Sequence, residues 1–113
     1  MSISIIGPEG KKAELKKSGD YFLRRQEESG AAALTVLEGP DNESILSHSH
    51  RSISRKHLML SLYDTLRLVD EGSKNGSHLN EERFKATEIT SPGTYTLKLG
   101  NVPFQIEYDL QSA

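Results

Sequence analysis

The 113-residue chain contains no cysteine. That absence excludes disulfide scaffolds, thiolate zinc sites and cysteine nucleophiles, and it favours an intracellular home. No apolar run approaches the roughly 20 residues a membrane helix needs, and the opening stretch 1–12 has no signal-peptide core. No membrane partner is expected. Walker loops and G-x-S-x-G elbows are missing as well. His48-x-His50 offers two ligands on one strand face, but no third follows at a recognisable spacing, so neither a metal nor another cofactor is expected. Basic charge is also in short supply: the formal net charge is −2 and the pI about 6.1, which argues against a general nucleic-acid binder. What remains is 35% hydrophobic and 27% charged, the balance of one soluble domain spanning 1–113 with a lean core.

Charge is unevenly placed. From Ser44 to Tyr63 there is no acidic residue, while His48, His50, Arg51, Arg55, Lys56 and His57 all fall there. The acids gather elsewhere, at Glu27–Glu28, Glu38–Glu43, Asp70–Glu71 and Glu81–Glu82. A basic island in a mildly acidic domain points to an anion site of limited extent.

Strand patterns dominate. Ser2–Ile6, Tyr21–Arg25, Leu34–Glu38, Leu58–Tyr63, Leu66–Asp70, Thr94–Leu99 and Val102–Tyr108 alternate or run apolar between turn signals. Asp64–Thr65 and Gly100–Asn101 read as hairpin turns. Lys11–Lys17 is the one helix candidate, and Gly39–Arg51 reads as a polar loop long enough to be mobile. The pattern implies an all-β sandwich or barrel.

Conventional catalytic constellations do not assemble, so an enzyme is not expected. Two segments stand out instead. Ser52–His57 enters the strand at Leu58, and Leu68–Ser77 leaves the strand begun at Leu66. Because a hairpin joins these strands, Ser54 and Ser73–Asn75 should lie at one end of a sheet. That gathers hydroxyls (Ser54, Ser73), the Arg55 guanidinium, the Lys74 ammonium and the Asn75 amide, a set suited to phosphate oxygens.

Ser54-Arg55-x-His57, a hairpin, then Asp70-x-x-Ser73-x-Asn75-Gly76 resembles the forkhead-associated (FHA) domain, a β-sandwich of two antiparallel sheets that binds phosphothreonine peptides through loops at one end. Leu97–Gly100 followed by Val102–Tyr108 is similar to the family's final hairpin. The resemblance implies phosphopeptide contacts from Arg25, Ser54, Arg55, Lys74 and Asn75, with Ser54 donating through both hydroxyl and backbone amide, and Asn75 reading the peptide main chain. It implies structural support from His57, Ser73 and Gly76. The partner is then a phosphothreonine-containing protein or peptide, within a larger assembly. Ser52–His57, Asn80–Glu82 and Phe104–Tyr108 are also similar to stretches of family members in DNA-break repair, which implies DNA-damage or cell-cycle signalling and a nuclear location. Two features depart from the family. Arg24 stands where glycine is usual before the phosphate-binding arginine, so a slip of one residue would exchange Arg24 and Arg25. The 28 residues between Arg25 and Ser54 (26–53) exceed the family's usual interval, making 39–51 the expected insertion. The alternative that these departures leave open is an FHA fold used for phosphate-independent protein assembly.

Overall fold

Period-two burial decides the architecture. The computed structural model describes residues 2–27, 34–48 and 52–109, which form twelve strands. They are β1 (Ser2–Ile6), β2 (Lys12–Glu14), β3 (Gly19–Gln26), β4 (Leu34–Glu38), β5 (Glu43–His48) and β6 (Leu58–Leu62), followed by β7 (Leu66–Asp70), β8 (Ser77–Leu79), β9 (Glu82–Phe84), β10 (Ala86–Ile89), β11 (Gly93–Leu99) and β12 (Val102–Asp109). One sheet has the order β2-β1-β12-β11-β8-β9 and the other β10-β7-β6-β3-β4-β5, and every pairing is antiparallel. The expected two-sheet sandwich is what the chain forms.

Each sheet turns alternate apolar residues inward. Ile3, Ile5, Leu97, Leu99, Phe104 and Ile106 from the first meet Leu23, Leu37, Leu58, Leu60, Leu66 and Leu68 from the second. At roughly 1.5–3 kcal/mol for each buried large apolar side chain, this layer supplies most of the drive to fold.

The structure departs from the sequence reading in three segments. Lys11–Lys17 holds β2 and no helix, because Ala13 and Leu15 are buried two apart and β2 pairs with β1 at Ile5↔Ala13. The stretch 39–51 is not simply a polar loop. Its first four residues turn the chain, and β5 then pairs with β4 through a bulge between Thr35 and Val36. The bulge lets consecutive Leu46 and Ser47 both face inward, which hides the strand from a period-two reading. Residues 49–51 of that expectation lie outside the described residues, as do His50 and Arg51. Finally, 77–89 contains three unforeseen strands of three or four residues each, too short and too charged to show a period.

Candidate functional site

Ile53 is completely buried and pins the segment before β6 into the core. Its neighbours remain near the surface and meet the β7–β8 loop. Ser54 Oγ accepts the backbone N–H of Lys74 at 3.0 Å, and Asn75 Nδ2 donates to the Ser52 carbonyl at 3.1 Å. The two segments therefore converge at one end of the sandwich, as the hairpin connection requires. Among the described residues the Ser54 hydroxyl proton has no acceptor and Asn75 Oδ1 has no donor, so both keep capacity for a ligand. One expectation fails. The Ser54 backbone amide donates to His57 Nδ1 at 2.9 Å, so it is committed to the fold and does not face outward.

His57 is buried and bridges both loops. Since Nδ1 accepts from Ser54, Nε2 carries the proton and donates to the Gly76 carbonyl at 2.9 Å. Burial pushes the imidazole below its ordinary pKa, outweighing the Gly76 carbonyl and the Asp70 charge, which pull the other way. The neutral ring is thus the form this geometry uses.

Asp70 ends β7 and organises the second loop. Its Oδ1 accepts the N–H groups of Gly72 and Ser73, both at 2.9 Å, while Oδ2 accepts the Ser73 and Ser77 hydroxyls at 2.6 Å. Partial burial by itself would raise the carboxyl's pKa, but these four bonds outweigh it and hold the group below the usual aspartate value. The Ser73 hydroxyl also accepts the Gly76 N–H at 3.0 Å. It is turned inward to the loop, which is a supporting position.

The arginine register is resolved by alternation. Arg25 continues the face of buried Tyr21 and Leu23, and its backbone N–H donates to the Ser54 carbonyl at 3.1 Å. Its guanidinium reaches Glu27 at 3.1 Å. Arg24 is on the outer face, 3.4 Å from Glu38 and 3.3 Å from Glu43, in one row with wholly buried Val36. The position where the family has glycine therefore accommodates a long side chain laid along β4 and β5. Arg55 and Lys74 are exposed at the same end as Ser54. Of the upstream histidines, His48 is described; it is exposed and meets Glu9 at 3.2 Å. No group of three metal-ligating side chains occurs among the described residues.

Sequence reading gave no role to the residues that hold the loops, although Asp70 opens the second motif. Asp70 sits two and three residues before Gly72 and Ser73, the spacing of an Asx turn, and that signal was present. Ser52 gave none: its Oγ donates to Asn101 Oδ1 at 2.6 Å, a contact set by the β11–β12 turn. Gly100 is equally non-local. It has φ +61, its N–H donates to the Gly76 carbonyl at 2.9 Å, and an added Cβ would lie 2.5 Å from the Ser52 carbonyl oxygen.

Fold and site together define an antiparallel β-sandwich whose loops at one end present hydroxyl, amide and guanidinium groups. A family model of the FHA domain matches residues 34–100, and the chain belongs to that family. No curated protein matches the chain. Among solved structures, an FHA domain with phosphothreonine-dependent interactions is similar at TM-score 0.72 and 15% identity, covering 98% of this chain and 100% of that one. An FHA domain from Chlamydia trachomatis gives 0.70 and 16%, covering 97% and 100%. EmbR of Mycobacterium tuberculosis, in complex with a low-affinity phosphopeptide, gives 0.68 and 15%, covering 99% of this chain and 26% of that one. At such identities the likeness is one of fold. It lends no support to the likeness with DNA-repair adaptors.

Proposed function

We propose that this domain binds phosphothreonine peptides, without catalysis, and so joins proteins in response to phosphorylation. The observation that carries the reading is the meeting of Ser54, Lys74 and Asn75 through the Ser54 Oγ–Lys74 and Asn75–Ser52 bonds, beside Arg25. Phosphate wants short charge-assisted donors on several sides. Ser54 supplies a free hydroxyl proton and Arg25 a planar guanidinium, with Lys74 and Arg55 adding cationic charge. Asn75 is held by Ser52 with its carbonyl oxygen outward, suited to a backbone N–H of an extended peptide. The FHA neighbours with phosphothreonine-dependent interactions and with a bound phosphopeptide support the same reading.

The test is titration with a phosphothreonine peptide library and its unphosphorylated counterpart. Micromolar-class affinity is expected for a subset of the phosphorylated members. Equal affinity for both forms of every peptide would overturn the reading in favour of phosphate-independent assembly.

A further inference from the structure

Arg83 and Lys98 are cations that the site described above does not use. β9, β8 and β11 align Arg83, His78 and Lys98 in one cross-strand row, with His78 opposite both. Ser77, Leu97 and Leu99 of these strands are buried, so the row lies on the outer face of the sheet. Alternation along β9 places Glu82 on the other face from Arg83.

Several surface cations on the sandwich have acids at hand: Lys12 meets Glu107, Arg67 meets Glu88, and Arg24 meets two glutamates. Arg83 and Lys98 have no carboxylate within 4.0 Å among the described residues. Like charges gathered on one sheet face without a counter-charge are unfavourable, so the row is suited to an anion from outside. His78 is half-buried between the two cations, with its Nδ1 covered and without a hydrogen-bond partner. The row also begins at the site. The Arg83 guanidinium lies against Gly76, where an added Cβ would be 2.9 Å from its Nε, and Gly76 directly follows Asn75.

We propose that Arg83 and Lys98, with His78 between them, form a second anion subsite that receives a further phosphate or carboxylate of the same peptide. The proposal rests on the phosphothreonine reading and names a finer ligand class: a phosphothreonine peptide carrying a second anionic side chain. Strands about 4.8 Å apart make the row about 10 Å across, which an extended peptide spans with roughly three residues. The second anion therefore belongs a few residues from the phosphothreonine.

The experiment is calorimetric titration of the whole chain with one phosphothreonine peptide whose flanks are otherwise neutral. Phosphoserine or aspartate is walked through the positions two to five residues away on each side. Wild type is compared with Arg83→Gln, Lys98→Gln and Ser54→Ala. At the preferred spacing the second anion should tighten binding roughly two- to fivefold, the range of an exposed charge contact. Either glutamine variant should erase that gain and leave affinity for the singly charged peptide unchanged. Phosphoserine and aspartate, placed at the same spacing, distinguish a phosphate requirement from a general one for negative charge. No gain at any spacing, or the same gain in the glutamine variants as in wild type, overturns the subsite. If even the singly phosphorylated peptide binds no better than its unphosphorylated form and Ser54→Ala changes nothing, the phosphothreonine reading itself falls.

Discussion

Arg24 and Arg25 are chemically identical neighbours with opposite surroundings. Arg25 emerges on the core-facing side next to Ser54, while Arg24 is spent on Glu38 and Glu43. Arg25→Ala, Ser54→Ala and Asn75→Ala should each weaken phosphopeptide affinity about ten- to a hundredfold, the worth of a charge-assisted bond, with melting temperatures nearly unchanged. Arg24→Ala should leave affinity intact, and titrations of the four variants check this directly. Glu27 gives a prediction of opposite sign. Its carboxylate lies 3.1 Å from Arg25 Nη2, where an incoming phosphate would compete with it. Glu27→Gln should therefore tighten binding by about two- to fivefold, since an ion pair with one partner in solvent is worth up to about 1 kcal/mol. Weaker binding by this variant would mean that Glu27 positions Arg25 productively.

At the scale of elements, the loops of the candidate site depend on a linkage running across the sandwich. The Gly76 carbonyl accepts from both His57 Nε2 and the Gly100 amide, so the β5–β6, β7–β8 and β11–β12 connections share one acceptor. His57→Ala leaves Ser54 N–H and the Gly76 carbonyl without this partner, and should cost about 1–3 kcal/mol of stability. Its loss of binding should be partly recovered on cooling, which Ser54→Ala should not show. Gly100→Ala should be at least as costly, about 2 kcal/mol or more, because it combines a left-handed residue with a backbone clash at Ser52. Thermal melts of both variants, followed with and without phosphopeptide, provide the check.

Over the whole molecule, charge is polarised despite a net of only −2. Arg25, Arg55, Lys56, Lys74 and Lys98 lie toward the loop end, whereas Asp20, Asp41, Asp64, Glu81 and Asp109 lie toward the other. Phosphopeptide affinity should therefore fall as salt rises, since exposed charges are screened over about 8–10 Å at physiological ionic strength. Stability should respond to acid in two stages. Folded His57 resists protonation while the unfolded chain binds a proton near pH 6.5, so its contribution is complete above that value and is lost as pH falls below it. Folded Asp70 has a lowered pKa, so its contribution is present above the ordinary aspartate range and is lost as pH falls through it. Denaturant midpoints measured from pH 8 to pH 3 should hold level at first, fall below about pH 6.5 and fall again through the aspartate range, with the first step removed in His57→Gln. A midpoint independent of pH between 7 and 5 would contradict the neutral bridging role of His57.

Alternation along Leu58–Leu62, Leu66–Asp70 and Gly93–Leu99 made those strands legible, because a half-buried strand writes its two faces directly into the residue order. The hairpin between β6 and β7 likewise made it legible that Ser54 and Asn75 share an end of the sheet. β5 was not legible, since a bulge breaks its period, and neither were β8 and β9, whose three residues are too few to show one. The register of Arg24 and Arg25 also had to wait for the fold: a one-residue slip reverses every side chain, and only pairing with β4 and β6 fixes it. The commitment of the Ser54 amide to His57, the approach of Gly100 to Ser52, and the row of Arg83, His78 and Lys98 join residues 3 to 48 positions apart. Residue order is enough to say which side-chain types line the strands and loops. The tertiary structure alone decided which donors remain available to a ligand, because a hydrogen bond is consumed or left open by neighbours that the chain brings near only on folding.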